Sequence, residues 1–187
     1  EGLPCSFARS YVERCFGVSE AMFGNWEAAA PLFQKSLDSM PANSTGRFLM
    51  GMCLLEFGGE GNLKDAVKKM EESLLLDPDF KAPYADIGVA HLRLKDYAAA
   101  IEISEVGLSR HPATAHLEYN LACGKFALAC FEEAGQHDYI ASELRGEALK
   151  ALLAAREHRG KEQRWTDFEA DMLAALQKES RPLRWPA

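Results

Sequence analysis

The chain has 187 residues, 48% of them hydrophobic and 26% charged, with a formal net charge of −7. That is enough apolar material for one substantial core, while no apolar run approaches the roughly 20 residues that a membrane-crossing helix needs. The acidic balance, with no basic stripe, excludes the phosphate-neutralising surface on which duplex nucleic-acid binding depends and favours basic or amphipathic protein partners.

From Tyr11 onward the apolar residues Val12, Cys15, Phe16, Val18 and Met22 recur at spacings of three and four, and after Gly24-Asn25 they resume as Trp26, Ala29, Leu32, Phe33 and Leu37. The pattern predicts two amphipathic helices joined by a tight turn. Gly17, Ala29, Phe33 and Pro41 then return as Gly51, Ala66, Met70 and Pro78, and again as Gly88, Ala100, Ser104 and Pro112. A fixed order of small, bulky and helix-stopping residues predicts an array of like helical pairs. The interval from Pro41 to Pro78 is longer than that from Pro78 to Pro112, and the extra residues fall in Phe57-Gly58-Gly59-Glu60-Gly61-Asn62, read as a loop insertion. Gly17 and Ala29 are small where two helices are expected to cross closely. Pro41, Pro78 and Pro112 separate the units, because proline lacks an amide hydrogen and its ring clashes with the preceding turn.

These spaced residues resemble the tetratricopeptide repeat, together with the turn dipeptides Asn25-Trp26 and Asp96-Tyr97 and the endings Lys35–Pro41 and Glu72–Pro78. The resemblance is good over about residues 8–114. It implies an all-α, right-handed superhelix of about four helix-turn-helix repeats, at about 8–41, 44–78, 81–112 and 115–158, in a single domain spanning 1–187. Tyr119-Asn120-Leu121-Ala122-Cys123 reads as the opening helix of the fourth repeat, with Ala122 in the glycine's place. Its second helix, with Glu147, Ala148, Leu149, Leu152 and Ala155, matches the family spacing only if about a dozen residues around Phe131–Ser142 are inserted as a loop. A last amphipathic helix at about 162–178, with Trp165, Phe168, Met172, Ala175 and Leu176 on one side, is expected to cap the array, whose final repeat otherwise exposes an apolar face. The tail, 179–187, is expected to be extended.

Cys5, Cys15, Cys53, Cys123 and Cys130 sit mostly at apolar helix positions and form no C-x-x-C pair, which predicts reduced thiols in an intracellular, reducing compartment. Asn43-Ser44-Thr45 is formally a glycosylation sequon, but Asn43 or Ser44 reads better as a helix N-cap. The chain opens at Glu1 rather than methionine, as expected of a trimmed or leader-processed form. A cytoplasmic protein fits, or an organellar one if a transit peptide was removed.

Groups capable of chemistry do not converge. His111 and His116 straddle Pro112 and lack the one-turn spacing of a zinc pair. Glu132, Glu133, His137 and Asp138 read as a solvated loop rather than a cation site. Gly58-Gly59-Glu60-Gly61 lacks the Gly-Lys-Ser/Thr of a phosphate loop, and Glu60 has the wrong sign for one. Two helical turns separate Cys123 from both His116 and Cys130, beyond the reach of a dyad. No catalytic residue, metal or cofactor is expected.

Stacked helical pairs present a concave surface, and the family resemblance implies that the first helix of each repeat lines it. The expected lining is Arg14 and Val18; Phe48, Met52 and Leu55; Val89 and Leu92; and Tyr119, Cys123 and Phe126, with Ala21 and Ala85 between them. One branch of the family grips the acidic tails of chaperones with a two-carboxylate clamp of Lys, Asn and Arg. Those places here hold Arg14, Val18, Leu49, Ala82 and Asp86, or in a register one repeat later Phe48, Met52, Asp86, His116 and Asn120. Neither makes a basic pocket, and Asp86 has the wrong charge. The resemblance therefore implies a non-catalytic interaction scaffold or assembly subunit whose apolar groove takes an apolar or helical segment. The alternative is an adaptor that transiently captures a short hydrophobic or helical peptide. The groove's occupant is a protein partner or this chain's own C-terminal helix or tail, with Trp165 or Trp185 as the plug. Arg181, Arg184 and Trp185 are of types enriched at interface hot spots and make the tail a second candidate docking element.

Overall fold

The computed structural model describes residues 5–159 and 167–177, and they form two compact units, Glu1–Leu94 and Lys95–Ala187. The first unit carries α1 (Cys5–Met22), α2 (Trp26–Ser39), α3 (Ser44–Phe57), α4 (Glu60–Leu76) and α5 (Lys81–Arg93); the second carries α6 (Tyr97–Arg110), α7 (Ala115–Ala134), α8 (Asp138–His158) and α9 (Asp167–Gln177). Among the described residues there is no strand.

Punctuation residues set the helix ends in the first unit. Gly24, with φ +78°, makes the left-handed step of the α1–α2 turn, which costs glycine little. Asn43 is the N-cap of α3, its Oδ1 accepting from the Gly46 amide at 3.0 Å. Pro41 and Pro78 lie in the gaps after α2 and α4. Pro83 is tolerated as the third residue of α5, where no intrahelical amide bond is required.

Small residues let the helices of each pair approach. Added to Gly17, a Cβ would stand 2.5 Å from Phe33 Cε1; added to Gly51, it would stand 2.7 Å from Met70 Cγ and 3.2 Å from the Ala66 carbonyl oxygen. In the first two repeats the glycine of one helix thus meets the bulky residue of the next. Ala29, Phe33 and Cys53 form a fully buried cluster, with Val18, Ala21, Trp26, Leu49 and Met50 packed against it. Burying Phe33 or Met70 contributes about 1.5–3 kcal/mol each relative to exposure.

The second unit is built on Leu117, Ala122, Phe126, Ala129, Ala148, Leu152 and Ala155, all buried. Gly124 lies against α6, where a Cβ would meet Ile101 Cγ1 at 2.9 Å.

Two expected loops are helical instead. The additional residues after Phe57 lengthen α4, leaving only Gly58-Gly59 as the turn, both at positive φ. Over 131–142, α7 runs on to Ala134 and α8 starts at Asp138. The stretches either side of Gly135 are rich in good helix formers, so the inserted residues extend both helices by propagation rather than looping out. Gly135-Gln136-His137 makes the turn, with Gln136 left-handed at φ 65°. The helix expected at about 162–178 is found as Asp167–Gln177, with Met172 fully buried. Trp165, Arg181, Arg184 and Trp185 lie outside the described residues, as does the side chain of Phe168.

Candidate functional site

The expected groove residues divide by burial. In the first unit Arg14, Val18, Met52, Val89 and Leu92 are half-buried, while Phe48 and Leu55 are only 8% and 5% exposed. Phe48 packs edge-to-face on Phe80, ring centroids 5.0 Å apart at 68°, and Leu55 is enclosed as its carbonyl accepts from Arg93 Nη1 at 2.8 Å. In the second unit Tyr119 is half-buried, whereas Cys123 and Phe126 are 4% and 3% exposed. Phe48, Leu55, Cys123 and Phe126 are therefore core residues that support a surface rather than line it. First helices are packed on more than one side, and helical spacing alone does not say which residue of the inner stripe is enclosed.

Arg14 is already engaged. Its Nη1 donates to Asn43 Oδ1 at 3.4 Å and its guanidinium carbon lies 5.4 Å from the centre of the Tyr11 ring. In the second unit the guanidinium of Arg159 lies 5.7 Å from the ring centre of Tyr119. The cation–π contact gives that ring a charged neighbour.

Burial, reinforced by the charge of Glu56, pushes the Asp86 carboxyl up to about 6. The same two causes push the Cys53 thiol up to about 11, so it is a packed, unreactive thiol at neutral pH. Asp86 belongs to α5 and Glu56 to α3, one turn beyond Met52. Asp86 is legible in the sequence as a residue of the wrong sign for an acidic ligand. Sequence reasoning misses Glu56, although its spacing of four from Met52 places both on one stripe of α3.

The residues weighed for chemistry are dispersed. His137 Nδ1 pairs with Glu132 Oε2 at 2.6 Å, while Glu133 pairs with Arg145 at 2.6 Å. Among the described residues no group of three or more His, Cys, Asp or Glu side chains is placed to hold a metal ion. Burial raises the Cys130 thiol as well, the nearby Arg145 opposing it. A cavity of about 510 Å³ in the second unit is lined by Glu133, Asp138, Ser142, Arg145, Leu149 and Leu176. In that wall Glu133 and Arg145 already pair with each other. No described helix is long and apolar enough to cross a membrane.

Successive helices joined by short turns, with a glycine of one helix against a bulky residue of the next, place the chain among known architectures. The first tetratricopeptide domain of Spaghetti (RPAP3), solved with the HSP90 peptide SRMEEVD, superposes with a TM-score of 0.62 at 18% identity, over 68% of this chain and 99% of that one. The fold is that of the tetratricopeptide repeat. The MamA protein superposes with a TM-score of 0.60 at 16% identity, over 90% of each chain. In sequence, the Hsp70-Hsp90 organizing protein of Triticum aestivum is 32% identical over 106 residues, which is 57% of this chain and 18% of that protein. The chain thus spans under a fifth of the curated relative it matches. No family model matches the chain.

Proposed function

We propose that the chain is a non-catalytic interaction scaffold or assembly subunit that holds a partner segment on the first unit's face of Val18, Met52, Val89 and Leu92. Half-buried apolar side chains suit an amphipathic helix or extended segment whose anchors each contribute about 1.5–3 kcal/mol when fully enclosed. The observation that carries this reading is the half-buried carboxylate of Asp86 on α5, whose titration burial and the charge of Glu56 both push upward. At neutral pH it repels an acidic peptide such as the SRMEEVD bound by the RPAP3 domain and favours a segment that brings a lysine or arginine.

The likeness to a domain that holds a short peptide supports a second reading, transient capture rather than permanent assembly. The two differ in residence time, which is read from the dissociation rate.

The test is a titration of the full chain with two amphipathic peptides that share apolar residues and differ in charge, one carrying lysines and one glutamates. The lysine peptide should bind at least about tenfold more tightly at low salt, and Asp86→Asn with Glu56→Gln should erase the difference. Equal or tighter binding of the glutamate peptide would sink the proposal.

A further inference from the structure

The same helix face occurs three times in the first unit, in two different states. On α3 the face holds Gly46, Met50 and Cys53. A Cβ on Gly46 would meet Leu37 of α2 at 3.0 Å, and Met50 and Cys53 pack with Ala29 and Phe33 of α2. On α5 the equivalent places hold Pro83, Ile87 and Ala90, all buried. On α1 they hold Val12, Phe16 and Ser19, and all three are exposed, Phe16 by 61%. Phe7, Tyr11, Cys15 and Met22 widen this face, and each is exposed as well. In a repeat stack such a face is covered by the helix before it, and an exposed apolar surface of this breadth marks an interaction site.

We propose that a second copy of this chain covers it, with two α1 helices packed antiparallel about a two-fold axis near Arg14 and Cys15. In that register, residues whose numbers add to about 29 stand opposite each other, as an isologous contact requires. Phe7 then meets Met22 of the second copy, and Val12 and Phe16 fill the centre. Arg9 and Glu20 lie about three helical turns apart along one edge of the face, and antiparallel pairing sets Arg9 of each copy against Glu20 of the other. Arg9 makes none of the ion pairs found among the described residues; Glu20 accepts from Asn25 Nδ2 at 2.9 Å and keeps its second oxygen for a further donor. The aromatic rings with Val12 and Met22 offer on the order of 500 Å² per copy, so the pair buries about 1,000 Å², the lower edge of specific interfaces. The dimer is consequently weak and concentration-dependent. It uses none of Val18, Met52, Val89 and Leu92, and so stands or falls apart from the groove.

Sedimentation of the full chain over a concentration series tests it: the mass should rise from 20.7 kDa toward twice that value. Arg9→Glu and Glu20→Arg should each weaken association by about tenfold or more, and the two combined should restore it. Arg9 is exposed and Glu20 half-buried beside the α1–α2 turn, so helicity by circular dichroism is the folding control for both. Mild oxidation should cross-link the dimer through Cys15, a product lost in Cys15→Ser and kept in Cys5→Ser, because Cys5 lies beyond the end of the opposing helix. A mass of one chain at every concentration would overturn the proposal. So would failure of the charge swap to restore association, or cross-linking that survives Cys15→Ser.

Discussion

Gly17 lies under the ring of Phe33, so close that a Cβ in its place would stand 2.5 Å from Cε1 and 2.7 Å from Cδ1. Gly17→Ala should therefore destabilise the fold by about 1–3 kcal/mol through overpacking. Phe33→Leu in the same background should recover part of that loss, as a double-mutant cycle in urea would show. Gly146 is the contrasting case: it sits in α8, and a Cβ added there would meet nothing within 4 Å. Gly146→Ala should stabilise by about 0.5–1 kcal/mol from backbone entropy.

Asn43 ties three helices together. Its Oδ1 accepts from the Gly46 amide and from Arg14, and its Nδ2 donates to Ser10 Oγ at 3.4 Å, where Ser10 and Ser36 exchange side-chain to backbone hydrogen bonds of 2.9 Å. Asn43→Ala should cost about 1–2 kcal/mol as a lost cap. Ser36→Ala should cost about 0.5–1.5 kcal/mol, because the Ser36 hydroxyl no longer donates to the buried Ser10 carbonyl. Thermal or urea unfolding measures both.

Asp86 should make stability fall as pH rises. Its carboxyl titrates near 6 in the fold against an ordinary value of 3.8. Between those values the folded state holds more protons than the unfolded one, so unfolding free energy decreases with pH. The loss should total about 1–3 kcal/mol between about pH 4 and 7. Asp86→Asn should flatten that part of the pH–stability profile and raise stability at neutral pH. A profile unchanged by the substitution would mean that Asp86 is better solvated than its burial implies.

Burial separates two substitutions that look alike in sequence. Phe48→Glu places a charge where the native ring is 8% exposed and should lower stability by about 3 kcal/mol or more. Met52→Glu alters a half-buried side chain and should weaken partner binding while leaving the urea midpoint nearly unchanged. Measuring midpoint and affinity together distinguishes loss of the groove from loss of the fold.

Much of this architecture is legible along the chain because its cues are local. Gly17, Gly51 and their partners Phe33 and Met70 recur at a fixed register, and a proline between repeats ends a helix whatever surrounds it. The cap at Asn43 is equally local, since it needs only an oxygen within reach of the Gly46 amide. The stretch 131–142 reads as a loop only when family spacing is set above helix propensity. Propagation is the cheaper course once a helix has nucleated.

The sequence by itself determined the repeating helix pairs and the acidic balance of the chain, because helical periodicity and side-chain charge need no knowledge of distant neighbours. Tertiary structure alone decided that Phe48, Leu55, Cys123 and Phe126 are core, that Glu56 acts on Asp86, and that the outer face of α1 stands uncovered where α3 and α5 are covered. Burial and electrostatic coupling depend on which helices pack together, and periodicity along one helix carries no record of its neighbours.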